Sequence, residues 1–463
     1  MSLMQQVINF LPEVKGPEIK HLPFKKKLKW TLIILISFFI LGVIPLWGLG
    51  QNSLEQFDFL SIILAAQFGS IISLGIGPIV TSSIVLQLLN GSGILKIDTT
   101  THDGRVLFQG LQKILTIFFI IFEAIIYIFM GGLSPAAGFS PWILVFQLFL
   151  GGMLILYMDE VMNKWGFGSG VSLFIAAGVS AEIIIKSFSP LTTTGAIAFG
   201  TGQAPIGKVF VFFYSLIQGN PTEAILAISA IAFTILVFVI SVYAQAMKVE
   251  IPLSFGRVRG YGIRWPLRFM YTSNIPVILV AALMANIQLW ARLLENWGYP
   301  LLGTFTGNVP TTGIVAWVYN PNLIENLIKG SFISSDLAHS LVYMLLMALG
   351  AVIFAIFWVQ TSGMDARSQA KQIMSSGLQI PGFRRDERVL EQILNRYIMP
   401  LTVMGGLSVG ILAALADLTG ALSRGTGILL TVMIIYNFYE RIAQQHMVDM
   451  YPGLRKMMGG QNA

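Results

Sequence analysis

The sequence predicts an all-α polytopic membrane protein with ten transmembrane helices in two inverted, pseudo-symmetric halves of five. The first observation is composition: 55% of the 463 residues are hydrophobic and only 11% are charged, whereas a soluble globular chain carries about 25% charged residues. The second is that apolar runs of about span length recur throughout, since a hydrocarbon core of roughly 30 Å needs about 20 residues. The third is an unequal division of Lys and Arg between alternate loops.

The apolar runs place the spans in chain order. The first follows the basic segment Lys25–Lys29. It has full span length and no small-residue cleavage site, so we interpret it as a transmembrane helix rather than a signal peptide. The predicted spans are 30–49, 71–90, 107–131, 141–161, 170–187, 224–247, 274–294, 337–360, 398–417 and 425–443.

These spans divide the chain into two halves with connecting segments. The predicted units are a cytoplasmic N-terminal segment 1–29, an N-terminal half 30–187, an external linker 188–222, a C-terminal half 223–443 with cytoplasmic loops 248–272 and 361–397, and a cytoplasmic tail 444–463.

The basic residues predict the orientation of the spans. The loops on the side of the N-terminus hold 23 Lys and Arg residues, and those on the opposite side hold five. Cytoplasmic loops carry the excess of Lys and Arg, so both termini are expected in the cytoplasm. The same asymmetry accounts for most of the net charge of +7 without nucleic acid as a partner.

The number of spans predicts an inverted repeat. Five is odd, so a second set of five that follows the same path must start on the opposite side of the membrane. Short segments of similar sequence at corresponding positions in the two halves support this prediction. Gly77-Pro78 in span 2 resembles Ile275-Pro276 in span 7, and Gly168–Val171 before span 5 resembles Gly425–Ile428 at the start of span 10.

The stretch Phe57–Gly91 is apolar but broken. Its first part, Phe57–Ala66, is too short to cross a bilayer. Gly69, Gly75, Gly77 and Pro78 then separate it from a second apolar piece, Ile79–Leu89, which has helical spacing. Backbone groups freed by such breaks need partners that lipid cannot supply. We therefore expect this stretch to line the functional cavity.

The chain offers no catalytic constellation. It has no cysteine and only four histidines, which are scattered across loops and span ends. No zinc-protease, nucleophile-elbow, nucleotide-binding or dinucleotide motif is present. We predict no enzyme activity, no metal and no cofactor.

Polar side chains inside spans are more informative, because they are unfavourable in lipid. The four that we single out are Thr81, Gln87, Glu123 and Asn286. They indicate either a functional polar seam between spans 2, 3 and 7 or ordinary helix–helix hydrogen bonds, which are usually worth less than about 2 kcal/mol.

Aliphatic residues lie just past the Gly/Pro breaks. Two interpretations are open for them: core packing, or a ring that resists wetting and yields to a flexible chain. The residues are Ile76, Val80, Val171, Ile175, Ile278 and Leu430.

Four long motifs make the chain resemble the SecY family of protein-conducting channels, particularly its archaeal members. They are LGIGPIVTSSIVLQLL (74–89), GFGSGVSLFIAAGV (166–179), SNIPVIL with ANIQLW (273–290) and SGLQIPGFRRDERVLEQILNRYI (376–398). The resemblance covers nearly the whole chain and implies ten helices around a central pore that passes unfolded polypeptides and releases transmembrane segments into lipid.

The resemblance also implies site residues. Segment 57–66 would be a plug, the six aliphatic residues a pore ring, and the polar residues part of a lateral gate between spans 2–3 and 7–8. The plug residues are Phe57, Phe59, Leu60, Ile62, Ile63 and Leu64, and the residues implied to dock the ribosome are Arg257, Arg259, Arg384 and Arg385.

The resemblance implies partners as well: a SecE-type gamma subunit, a small one-span beta or SecG-type subunit, the ribosome, signal sequences, nascent polypeptides and lipid of the cell membrane. The alternative from the residues alone is a secondary solute transporter, which also has inverted repeats and broken helices. Glu123 would then carry the proton.

Overall fold

A computed structural model describes most of the chain. The described residues are 12–18, 22–52, 65–91, 94–95, 97, 101–192, 196–198, 203–255, 262–272, 275–307, 309–375, 378–379, 386–423 and 425–450.

Each predicted span falls on one long helix. The ten helices are α1 (Phe24–Val43), α2 (Gly77–Gly91), α3 (His102–Phe129), α4 (Pro141–Trp165), α5 (Gly170–Phe188), α7 (Pro221–Ala246), α8 (Ile275–Asn296), α11 (Ser334–Thr361), α13 (Glu387–Leu418) and α14 (Gly425–Met450). The shorter helices are α6 (Lys208–Ile217), α9 (Gly313–Val318), α10 (Leu323–Ile328) and α12 (Ala366–Ser375). Among the described residues, seven helices are long and apolar enough to cross a membrane: α3, α4, α5, α7, α8, α11 and α13.

Two predicted boundaries move for identifiable reasons. The first helix covers Phe24–Val43 rather than 30–49. Its lysine-rich start is helical, and Pro45 follows its end. Helix α13 begins at Glu387, because Asp386 caps it by accepting a hydrogen bond from the Arg388 amide at 2.9 Å. Its first turns therefore precede the predicted span, and Pro400 lies inside the helix.

In the part of the chain that the structure describes, seven short strands form three small sheets. Strands β1 (Leu49–Asn52) and β2 (Leu133–Pro135) pair with each other, as do β5 (Phe305–Thr306) and β6 (Val309–Pro310). The third sheet has the order β4 (Gly262–Arg268), β3 (Lys248–Phe255), β7 (Leu378–Gln379), and all its pairs are antiparallel. This sheet joins two loops that lie more than a hundred residues apart in the sequence.

A carboxylate closes the last helix junction of each half. In the N-terminal half, Asp159 of α4 accepts a hydrogen bond from the Val171 amide at the start of α5, at 2.9 Å. In the C-terminal half, Asp417 of α13 accepts one from the Thr426 amide at the start of α14, at 2.7 Å. Free amides at a helix start need such acceptors. The two halves thus have the same kind of helix junction, and each junction lies at one of the two similar glycine-containing segments, Gly168–Val171 and Gly425–Ile428.

Candidate pore and lateral seam

The broken segment before α2 is held by protein, as its sequence requires. The Leu46 amide donates to the Gly69 carbonyl at 2.8 Å, and the Ile71 amide donates to the Ile44 carbonyl at 3.0 Å. Gly151 of α4 lies so close to the Ile71 carbonyl that a Cβ would overlap it. Helix α2 begins only after Gly75, whose φ of 53° favours glycine. The freed backbone groups therefore have partners where lipid would offer none.

The six predicted ring residues share one apolar core. Ile76, Val80, Ile175, Ile278 and Leu430 are buried members of the same hydrophobic cluster, and Val171 packs against it while partly buried. They come from α2, α5, α8, α14 and the turn before α2. Two helices from each half therefore meet around these side chains. Their assignment as a pore ring remains a proposal.

A cavity of about 450 Å³ lies next to this cluster. Its lining includes Ser172, Ile275 and Ile434, which are one helical turn from Ile175, Ile278 and Leu430 respectively. On all three helices, the cavity residue lies on the side of the predicted cytoplasmic end. The ring residues thus form the next layer beyond the cavity.

The lining of the cavity also includes polar and cationic side chains. Among the described residues, the charged ones in its lining are Arg268 and Arg441. Arg268 donates to Asn437 at 2.9 Å and pairs with Glu440, and Arg441 donates to the Phe167 carbonyl at 3.3 Å. These contacts hold both guanidinium groups in place.

Tyr271 also lines the cavity, in the segment between β4 and α8. Burial, followed by the nearby Asp365 carboxylate, raises the pKa of its hydroxyl. The hydroxyl therefore stays protonated at neutral pH, and it donates to the Met364 carbonyl at 2.7 Å.

Three of the four predicted polar residues meet at one point. Asn286 of α8 donates to the Thr81 hydroxyl of α2 at 3.2 Å, and that hydroxyl donates to the Glu123 carboxylate of α3 at 3.2 Å. Glu123 is buried. The chain of bonds therefore crosses from the α2–α3 pair to α8, along the seam predicted between the two halves.

Gln87 has a different partner. It is six residues beyond Thr81 on α2, which places it on another face of the helix. Its amide donates to Ser83 of the same helix at 3.0 Å. Among the described contacts, Gln87 is therefore not joined to Thr81, Glu123 and Asn286.

Apolar contacts flank the polar bonds along the same seam. The rings of Phe122 on α3 and Trp290 on α8 lie 5.7 Å apart, one turn of α8 beyond Asn286. Toward the other end, a Cβ on Gly91 of α2 would overlap the ring of Phe357 on α11. The sequence does not single out these residues. Aromatic side chains in apolar spans occur both at lipid-facing positions and along the seam, so the sequence alone does not distinguish the two.

Other predicted site residues lie outside the described part of the chain. These are all six plug residues and the four arginines at positions 257, 259, 384 and 385. The described strands nevertheless bring the flanks of the two arginine loops together, since Phe255 pairs with Leu378 and Ser254 pairs with Gln379.

Comparison with known proteins identifies the family. A family model described as SecY matches residues 70–439, and one described as the plug domain of Sec61p matches residues 36–69. The chain belongs to the SecY family. The predicted plug, 57–66, lies within the second match. The resemblance inferred from the four motifs, including its archaeal character, is confirmed.

A SecY relative and two solved channels extend over almost the whole chain. The protein translocase subunit SecY of Methanothermobacter thermautotrophicus is 45% identical over 460 residues, 98% of each chain. A structure described as that of a protein-conducting channel has a TM-score of 0.83 at 42% identity and covers 97% of this chain and 99% of its own. Sec61 in the canine ribosome–channel complex has a TM-score of 0.80 at 41% identity, covering 97% and 99%.

These likenesses confirm two predictions. The fold is that of a polytopic α-helical channel, and the chain is a pore-forming subunit of the SecY type. The secondary transporter is not favoured, because the full-length relatives are translocase subunits and channels.

Proposed function

We propose that this SecY chain is a passive conduit, closed by its ring and opened along its seam. Unfolded secretory chains pass from the cationic cavity through the six ring residues to the far side. The observation that carries the proposal is the stacking of cavity and ring on α5, α8 and α14. An apolar constriction resists wetting by ions yet can part around a polypeptide. The driving force comes from another component, since the sequence has no nucleotide motif.

Site-specific crosslinking tests this path. A photoreactive residue replaces Val80, and a ribosome-stalled secretory chain is presented to membranes that contain the protein. We expect a signal-dependent adduct, because Val80 would contact the chain in transit. The same probe at Leu236, an exposed apolar position of α7, should give none. Absence of an adduct at Val80 with the ribosome bound would return the ring residues to simple core packing.

We further propose that the seam between α2–α3 and α8–α11 is the lateral gate. Its contacts are weak and mixed: two hydrogen bonds around Thr81 and the Phe122–Trp290 pair. An apolar segment inside the channel can therefore replace them and partition into lipid, where apolar residues are favoured. Such selection needs no ligand-like pocket.

Glu123→Gln separates this gate from the transporter alternative. In the conduit, the substitution alters the Thr81 bond and shifts gating by at most about 2 kcal/mol, the upper range for such bonds. Export of a substrate with a strong signal sequence should continue. A transporter predicts instead a saturable solute flux that the substitution abolishes. Export and solute uptake are measured in the same proteoliposomes.

The matched control is Gln87→Leu, since Gln87 bonds within α2 and not across the seam. It should leave gating as in the wild type. Loss of export in the Glu123→Gln variant, with a proton-coupled solute flux in the wild type, would contradict the conduit.

Orientation and partners complete the proposal. Both termini lie in the cytoplasm of a cell whose plasma membrane holds the channel, as 23 basic residues on one side against five on the other indicate. A SecE-type gamma subunit and a small beta or SecG-type subunit accompany it. The ribosome docks at the sheet β4–β3–β7, whose strands bring together the flanks of both arginine loops.

Charge reversal tests the docking site. Arg257→Glu combined with Arg384→Glu should reduce co-sedimentation with ribosomes at low salt, because contacts to RNA phosphates are lost. The difference should shrink as salt rises. Lys29→Glu, an exposed position at the predicted cytoplasmic end of α1, serves as the control. Equal binding by the double variant would leave these arginines as determinants of topology alone.

A further inference from the structure

Helix α6 lies in the linker 188–222, which is part of neither the proposed pore nor the proposed gate. It has ten residues and is strongly apolar, with Lys208 as its one charged residue. At 1.5 Å per residue it is about 15 Å long, half the thickness of a hydrocarbon core of about 30 Å. It therefore cannot cross a membrane.

Both ends of α6 are pinned to ends of membrane helices. Just before its start, the Gly207 amide donates to the Ser189 carbonyl at the end of α5, at 3.0 Å. A Cβ on Gly207 would approach the Ser189 backbone to 2.7 Å, so the two segments touch. At its end, the Asn220 amide donates to the Ser215 carbonyl at 2.9 Å, directly before α7. Since α5 ends and α7 begins at one membrane surface, α6 lies at that surface.

The two faces of α6 differ. Val211 and Ser215 are buried against the protein. Phe213, Leu216 and Ile217 form the opposite face at helical spacing and are 59%, 54% and 87% exposed. Tyr214 on the same helix carries a polar tip, its hydroxyl accepting from Gln218 at 2.6 Å. Tyrosine is enriched where membrane and water meet.

The exposed face continues an apolar surface on the neighbouring spans. Helix α6 packs against both α5 and α7. Near the α6 end of α5, Ile184, Ile185 and Phe188 are exposed, and on the first turns of α7, Ile225 and Ile228 are exposed. In membrane-spanning helices these side chains meet lipid. Because α6 packs against both helices, its exposed apolar face lies near their lipid-facing ends.

We propose that α6 is an interfacial anchor whose face Phe213, Leu216 and Ile217 inserts into the adjacent lipid leaflet. An apolar helix face at the membrane surface is stabilised when it is buried at the boundary between headgroups and acyl chains. The anchor lies on the linker between the two halves of the channel. It would hold that linker at the bilayer surface while the seam between the halves opens.

Spin labelling tests the anchor, and the absence of cysteine from the chain makes single labels straightforward. Phe213→Cys and Ile217→Cys are labelled with a nitroxide in the full chain, reconstituted in liposomes of phosphatidylcholine and phosphatidylglycerol. Collision rates with oxygen, which concentrates in lipid, are compared with those of a nickel chelate, which stays in water. Ile228→Cys is the lipid control, and Arg388→Cys, exposed at the start of α13, is the water control.

We expect the labels at 213 and 217 to give an oxygen-to-nickel ratio shifted toward that at Ile228. A ratio like that at Arg388 would place the face in water, and low collision rates with both reagents would place it against protein; either result overturns the proposal. In a second variant, Phe213→Asp should shift the label at Ile217 toward the nickel chelate while the label at Ile228 stays unchanged. Neither the pore nor the gate depends on this outcome, because neither includes α6.

Discussion

Replacing Ile278 by Asn is expected to raise the ion conductance of the resting channel by about tenfold to a hundredfold. Burying an Ile side chain is worth about 1.5–3 kcal/mol, and 1.4 kcal/mol corresponds to about a factor of ten in an equilibrium. Ile278 is buried between α8 and its neighbours, one turn from the cavity residue Ile275. A polar side chain there would let water fill the constriction.

Planar bilayer recordings without a translocating chain measure this effect. Two controls accompany it. Ile278→Val keeps the position apolar and should conduct like the wild type. Leu283→Asn places the same polar group on an exposed face of α8 and should not increase conductance. Wild-type conductance in Ile278→Asn would remove this residue from the seal.

The same variant has a second expected phenotype. A channel whose ring wets more readily opens with less help from the substrate, so weak signal sequences should pass more often. Comparison of a strong and a weak signal sequence on one secretory protein isolates this gain. It should be larger for the weak signal.

Asp417→Ala is expected to reduce the stability of the C-terminal half by about 3 kcal/mol or more, because three buried donors lose their partner and each costs at least about 1 kcal/mol. The buried Asp417 carboxylate accepts from the Tyr343 hydroxyl at 2.7 Å and the Thr426 amide at 2.7 Å, and also from the Thr426 hydroxyl. Three helices, α11, α13 and α14, thus converge on one side chain.

Thermal unfolding in detergent, followed by fluorescence of the nine tryptophans, measures this loss. Asp417→Asn retains an acceptor and should lie between the wild type and Asp417→Ala. Asp159→Ala, at the corresponding junction, should have a smaller effect, because Asp159 is less buried. An unchanged unfolding midpoint for Asp417→Ala would show that these bonds contribute no net stability.

The sequence by itself determined the positions of the helices and the broken entrance to α2. Span hydropathy is a local property, so each of the ten apolar runs predicted a helix, although the starts of α1, α2 and α13 lie six to eleven residues from their predicted positions. Gly75, Gly77 and Pro78 predicted the break because their backbone preferences do not depend on distant partners. Local capping by Asp386 was missed, and the start of α13 was misplaced with it.

Only the tertiary structure decided which polar residues act together. Residue type singled out Glu123 as the most costly polar group in its span, but hydropathy could not show which of Thr81, Gln87, Glu123 and Asn286 touch one another. In the structure three of them meet, and Gln87 bonds within its own helix. The packing of all the spans decides in which direction each polar side chain points and which helix it faces. In lipid, hydropathy does not reveal either, because core and membrane are equally apolar.

The junctions of the two halves show both contributions. The echo of Gly168–Val171 in Gly425–Ile428 was visible in the chain, but its meaning was not. In the structure, Asp159 and Asp417 each accept from the amide at the start of the next helix. The glycines mark where the backbones approach closely, and the carboxylates come from the preceding helix. The packing of the helices determines that the same carboxylate–amide contact forms in both halves. The sequence shows only the small residues that allow the helices to approach closely enough.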